Sequence, residues 1–94
     1  MVSDLDQRRR TVRVLELLSE SVEAYARGDS AGADRLIEEA AEVDVMAMSG
    51  IQGGILIGEI PHPEQDWAAW TEYVQAARDA LAEAEAREGG NDAS

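Results

Sequence analysis

The chain contains no cysteine, no lysine and no phenylalanine, and only one histidine, two prolines and 4% aromatic residues. Each absence closes a chemistry. Without cysteine there is no disulfide, no thiolate nucleophile and no zinc–sulfur centre. Without lysine there is no side-chain ammonium to reach a phosphate. A single histidine gives metal chemistry little to work with in one chain. No apolar run is long enough to span a bilayer: the longest, Val45 to Gly58, is 14 residues and is interrupted by Ser49 and Gln52, against about 20 for a spanning helix. The opening MVSDLDQRRR has no apolar segment after its arginines, so it does not read as a secretory signal. The expectation is a soluble, cytoplasmic protein with no membrane role.

Positive charge is scarce too. Eight arginines face 20 acidic residues, a formal net charge of −12. Phosphate backbones and anionic lipids gain affinity by pairing with cations, so direct nucleic-acid binding is disfavoured. A basic partner protein is compatible with this charge, as is simple solubility. Ninety-four residues suit one domain. A monomer of that size buries only roughly 60–65% of its unfolded surface. Its 45% hydrophobic content rests heavily on alanine, which favours closely packed helices and makes oligomerisation an economical source of further burial.

The pattern is helical throughout. Ser3 can cap a first helix of about residues 4–27, with Asp4 and Asp6 at its positive end. Leu5, Val12, Leu15, Leu18, Val22 and Tyr25 follow one face, and Val14, Leu17 and Ala24 widen it, so this helix should meet neighbours on two sides. Arg27-Gly28 is a stop signal, and Asp29 or Ser30 caps a second helix of about 30–49. The two-residue joint predicts an antiparallel αα-hairpin. Ala33, Ile37, Ala40 and Asp44, following Gly28-Asp29, resemble the second half of a tetratricopeptide repeat, a family in which small residues at these spacings let paired helices approach closely. The resemblance covers about one repeat, Thr11 to Asp44. Ser21 stands where that pattern has glycine, no second copy follows, and a solenoid needs about three units; the resemblance implies the hairpin.

After Pro61-His62-Pro63 a third helix of about 64–87 is expected, with Pro63 at its first position. Trp67, Trp70, Val74, Ala77, Leu81 and Ala84 recur at alternating spacings of three and four, a heptad seam. Residues 89–94 read as a disordered tail.

Met46 to Ile60, MAMSGIQGGILIGEI, is the ambiguous segment. It is either an extension of the second helix with Gly50, Gly53, Gly54 and Gly58 as a small-residue seam, or a break followed by a short extended piece from Ile55 to Ile60. GIQGGILIG lacks the spacing of a phosphate loop. Met46, Met48, Ile51, Ile55 and Ile57, with Trp67, Trp70, Val74 and Leu81, are more apolar surface than three helices easily hide, so they are the expected interface residues.

Other chemistries leave weaker traces. Glu59 and His62 have the E-x-x-H spacing of di-iron bundles, which operates only on a continuous helix; a symmetric dimer could supply the second copy. Asp29-Ser30 resembles the carrier-serine pair of acyl carrier proteins, with Ala31 where that family favours leucine. No serine sits in a G-x-S-x-G elbow. Glu38, Glu39, Glu42 and Asp44 form an acidic cluster without EF-hand spacing. Arg8, Arg9, Arg10 and Arg13 form the basic patch, expected to pair with Asp4, Asp6 and Glu16.

The resulting expectation is an all-α protein: an antiparallel αα-hairpin plus a third long helix, completed as a bundle by homodimerisation. Its expected role is non-enzymatic, in protein–protein interaction or assembly, with no cofactor, metal or catalytic residue. The alternatives are an acidic decoy that mimics DNA toward a nucleic-acid-binding protein, and a carrier-like or dimeric di-metal helical protein.

Overall fold

A computed structural model of the chain describes the backbone of residues 4–93 and the side chains of residues 4–87. Four α-helices occur among these residues and no strand: α1 (Asp4–Ala26), α2 (Ser30–Val43), α3 (Val45–Leu56) and α4 (Trp67–Ala93). The expected Ser3 cap lies outside the described residues.

Helix α1 is the hub. Leu17, Ser21 and Ala24 recur at helical spacing on one side and are buried. Arg13 and Arg10, one and two turns earlier on that side, reach Glu39 and Asp44 of the α2 flank. Val12, Leu15 and Ser19 form a second side, fixed toward α4 by the 2.9 Å hydrogen bond from Trp70 Nε1 to Ser19 Oγ. The Arg9–Glu85 and Arg78–Glu16 pairs lie along the same seam and show that α4 runs antiparallel to α1. The two-sided contact expected of this helix follows from its wide apolar stripe.

The α1–α2 joint is closed by a Schellman motif. Gly28 takes φ +84°, a left-handed conformation that side chains disfavour. The Asp29 N–H donates to Ala24 O at 2.9 Å and the Gly28 N–H to Tyr25 O at 3.0 Å. Asp29 then caps α2, its Oδ1 accepting the Gly32 N–H at 2.9 Å. Ala33 and Ala40 have no exposed surface; small side chains there let α2 lie close on α1, as the repeat-like hairpin implied.

The second helix does not run on to residue 49. It ends at Val43, because Asp44 adopts extended backbone (φ −165°, ψ 100°) and serves as C-cap of α2 and N-cap of α3 together. Its Oδ1 accepts the Ala47 N–H at 3.0 Å. Its Oδ2 accepts from Gln7 Nε2 at 3.0 Å and Arg10 Nε at 3.2 Å. A residue that satisfies the free N–H groups of a new helix start allows a one-residue corner. The extended alternative for Ile55 to Ile60 is also replaced: α3 continues to Leu56 and closes with a second Schellman motif at Gly58 (φ +82°), the Glu59 N–H donating to Gly54 O at 2.9 Å and the Gly58 N–H to Ile55 O at 3.2 Å.

The third expected helix, α4 here, starts at Trp67, three residues later than expected, with Asp66 as its cap: Asp66 Oδ1 accepts the Ala69 N–H at 3.0 Å. His62 caps a turn instead, its Nδ1 accepting the Glu64 N–H at 3.1 Å. Asp is the better N-cap, so Pro63 falls in the preceding turn. At the other end α4 continues to Ala93, not Arg87. No proline lies beyond Arg87, and Gly89-Gly90 raise the cost of a helix without ending it.

The core is a single cluster that includes Val14, Leu15 and Leu17 from α1, Ala40 from α2, Met48 and Ile51 from α3, and Trp70 and Val74 from α4. No buried side-chain nitrogen or oxygen among the described residues lacks a hydrogen-bond partner. The four helices are therefore joined by one apolar centre, with the polar contacts arranged around it.

Candidate interaction surface

The nine expected interface residues separate into three groups. Met48, Ile51, Trp70 and Val74 are buried inside the chain's own core. Ile55 and Leu81 are half-buried. Met46, Ile57 and Trp67 are exposed, at 77%, 69% and 38%. The central part of the heptad seam thus packs within the chain: Trp70 and Val74 join Met48 and Ile51 in its core, while Trp67 stays exposed and Leu81 half-buried. The physical reason is the corner at Asp44. It folds α3 back as a separate element, giving the core an additional helix that a straight second helix would not supply.

Two apolar surfaces remain. The first is the outward face of α3. Val45, Met46, Leu56 and Ile57 are exposed at 61%, 77%, 86% and 69%. Between them lie Ser49, Gly50 and Gly53, and a Cβ added at either glycine would meet nothing within 4 Å. From Val45 to Leu56 there is no charged residue at all. Gly54 is different. It points inward, where a Cβ would sit 2.5 Å from Ile60 Cδ1 and 2.8 Å from Ile60 Cγ1. Its missing side chain lets the returning loop pack on α3. The three glycines of α3 thus have two distinct settings: Gly54 is answered by Ile60, whereas Gly50 and Gly53 have free space where a Cβ would point.

The second surface is a solvent-open groove of about 630 Å³ between the last turns of α1 and the start of α4. Val22, Tyr25, Ala26, Pro63 and Trp67 make its apolar walls, and Glu23 and Glu64 are its charged lining groups. A smaller recess of about 200 Å³ shares Val22, Tyr25, Pro63 and Glu64 and reaches Gln52 and Ile55 of α3. Tyr25 was expected in the buried stripe but is 57% exposed, because α1 ends there and its last turn has less chain beside it. Val45, Leu56 and Tyr25 were missed as surface candidates. The uninterrupted lack of charge around Val45 and Leu56 was the available signal for two of them.

The electrostatic work is done elsewhere. Asp44 has its carboxyl held below the usual range, first by the Ala47 N–H, then by the Gln7 side chain and Arg10. Of the basic patch, Arg9 pairs with Asp6 and Glu85, Arg10 with Asp44, and Arg13 with Glu39. Glu16 pairs with Arg78, not with the patch. The expected local pairing along α1 is present in Arg9–Asp6, while Arg9, Arg10 and Arg13 also tie α1 to other helices. The exposed pairs contribute about 0–1 kcal/mol each and mainly select the antiparallel arrangement; Arg10–Asp44 is part-buried.

Glu59 and His62 fall outside any helix, so their E-x-x-H spacing does not project them together. No group of three or more potential metal-binding side chains occurs among the described residues. Ser30 is the exposed first residue of α2, directly after its cap. Among the described residues no helix is long and apolar enough to cross a membrane. No family model matches the chain, and no match is found among curated proteins or solved structures.

Proposed function

We propose that this chain is a non-enzymatic assembly protein that self-associates through the outward face of α3. One observation carries the reading: a chain that is 30% charged presents a helix with no charge, four large apolar side chains pointing to solvent and two open glycines among them. Each interior glycine costs a helix about 1 kcal/mol relative to alanine. Gly54 recovers that through Ile60, whereas Gly50 and Gly53 have no neighbour in their own chain. Small residues at this spacing allow a second helix to approach closely, and the flanking Met46 and Ile57 supply apolar contact. Two chains of net charge −12 repel each other over most of their surfaces, so the uncharged face is the place where they can meet with least repulsion.

The contact is modest. A 12-residue helix is about 18 Å long, and its exposed face falls short of the roughly 800 Å² per partner of a standard stable interface. The expected dimer is therefore of micromolar strength and strengthens with salt, because screening removes repulsion between like-charged copies. Sedimentation equilibrium over roughly 1–100 µM tests this. The variant Gly50→Ala/Gly53→Ala should unfold at higher denaturant than wild type, since helix propensity improves, yet associate less, since the close approach is blocked. Met46→Glu should be monomeric. Wild type that stays monomeric throughout, or a double-alanine variant that associates as well as wild type, refutes the reading.

The acidic-decoy reading has one observation of its own. Arg9, Arg10, Arg13 and Arg78 are occupied by carboxylates within the chain, so much of the positive charge is already committed and the surplus is negative. A decoy would bind its target with a steep loss of affinity as salt rises, the opposite sign to the self-association proposed here.

A further inference from the structure

We propose that the groove between the end of α1 and the start of α4 is a second, separate binding site, for a basic amphipathic helix of a partner protein. Its walls are apolar, formed by Val22, Ala26 and Pro63 with the aromatic rings of Tyr25 and Trp67. Its two charged lining residues, Glu23 and Glu64, are both acidic, and no arginine lines it. The last turn of α1, which forms one wall, contains no basic residue, and the C-terminal end of a helix carries partial negative charge. Arg27, the next residue along, is not among the lining groups.

Charge complementarity selects the occupant. An anion would meet two carboxylates and the negative end of α1, while the positive start of α4 is already capped by the Asp66 carboxylate. A second copy of this chain, at net charge −12, would set acid against acid. An arginine or lysine can instead pair with Glu23 or Glu64 while its stem lies along Tyr25 and Trp67, whose ring faces attract cations. The adjoining recess of about 200 Å³, which shares Val22, Tyr25, Pro63 and Glu64 and reaches Ile55 and Gln52, suits one apolar side chain projecting from the same helix. Apolar residues on one face of the ligand and cations at its edge thus match a groove with an apolar base and acidic rim. The solvent-open shape favours a segment laid across it over an enclosed small molecule.

The site does not rest on self-association, and the test keeps the two apart. A synthetic leucine–lysine peptide with helical amphipathic spacing is titrated into the full chain, following binding by calorimetry and by intrinsic tryptophan fluorescence, to which Trp67 and Trp70 both contribute. Glu23→Gln/Glu64→Gln should weaken binding by about tenfold. Glu38→Gln/Glu42→Gln, an equal change of charge at exposed positions of α2, should leave it within about twofold, as should Met46→Glu on the other apolar surface. Tyr25→Ala should weaken it without altering the far-ultraviolet circular dichroism. Equal weakening by both glutamine pairs would mean general attraction to an acidic protein and would overturn the proposal. So would the absence of saturable binding, or saturation by a simple alkyltrimethylammonium ion while the peptide fails.

Discussion

Replacing Trp70 with alanine separates an intrachain seam from an intermolecular one. The indole has no exposed surface, stacks near Tyr73 with ring centroids 6.4 Å apart, and donates to Ser19 Oγ at 2.9 Å. Burying an aromatic of this size removes about 150–250 Å² from water, or roughly 4–6 kcal/mol at about 25 cal/mol per Å². Truncations of buried tryptophan cost about 3–5 kcal/mol once partial relaxation is included. At about 0.05–0.15 kcal/mol per residue, a chain of this length is stable by about 5–14 kcal/mol. Trp70→Ala should therefore remove about a fifth of the total or more, and a marginal fold would be lost. Ser19→Ala should cost about 1–3 kcal/mol, because it leaves the buried indole N–H without an acceptor. Trp67→Ala, at a position 38% exposed, should cost less than about 1 kcal/mol. Urea titrations followed by circular dichroism at a dilution where only monomer is present give all three values. If Trp70→Ala unfolded within about 1 kcal/mol of wild type under those conditions, the seam from Trp70 to Leu81 would face another chain, and the packing of α4 on α1 would be refuted.

Adjacent glycines should respond in opposite directions. Gly53→Ala is expected to stabilise the monomer by up to about 1 kcal/mol through helix propensity, while Gly54→Ala should destabilise it by about 1 kcal/mol because overpacking against Ile60 exceeds the same gain. The Gly54→Ala penalty should shrink in an Ile60→Ala background; equal penalties in the two backgrounds would show that the contact is not the cause. Asp44 gives a pH signature. Its folded carboxyl titrates below its ordinary value of 3.8, so its ionised form stabilises the fold above that value and the contribution is lost as pH falls through the folded one. Asp44→Asn should accordingly be less stable than wild type near pH 7, with a smaller gap at an acidic pH below 3.8, as read from urea midpoints at the two pH values. A gap of the same size at both pH values would mean that ionisation of Asp44 contributes nothing.

How far the chain could be read residue by residue depended on the range of the interaction. The α1–α2 hairpin was legible because its determinants are local: Gly28 for the left-handed turn, Asp29 for the cap, Ala33 and Ala40 for close approach. The corner at Asp44 was not, although the residue is a good cap. What makes it a corner is Oδ2 receiving Gln7 and Arg10, more than thirty residues away in sequence. The same applies to the glycines. Their spacing is visible in the sequence, yet only the position of Ile60 distinguishes Gly54 from Gly50 and Gly53. Periodicity found the stripe from Trp67 to Ala84 but could not name its partner, since a heptad seam looks alike whether α1 or a second chain covers it.

The amino-acid sequence alone determined that the protein is helical, acidic, free of thiol chemistry and hinged at Gly28, because propensity, charge and turn conformation are properties of a few neighbouring residues. Tertiary structure decided which apolar residues are spent inside. By turning at Asp44, the chain places Met48 and Ile51 against α1 and leaves Val45, Met46, Leu56 and Ile57 outside; by ending α1 beside the entrance of α4, it opens an acid-lined groove. Burial depends on what lies beyond each residue in space, and that is settled only when distant segments meet.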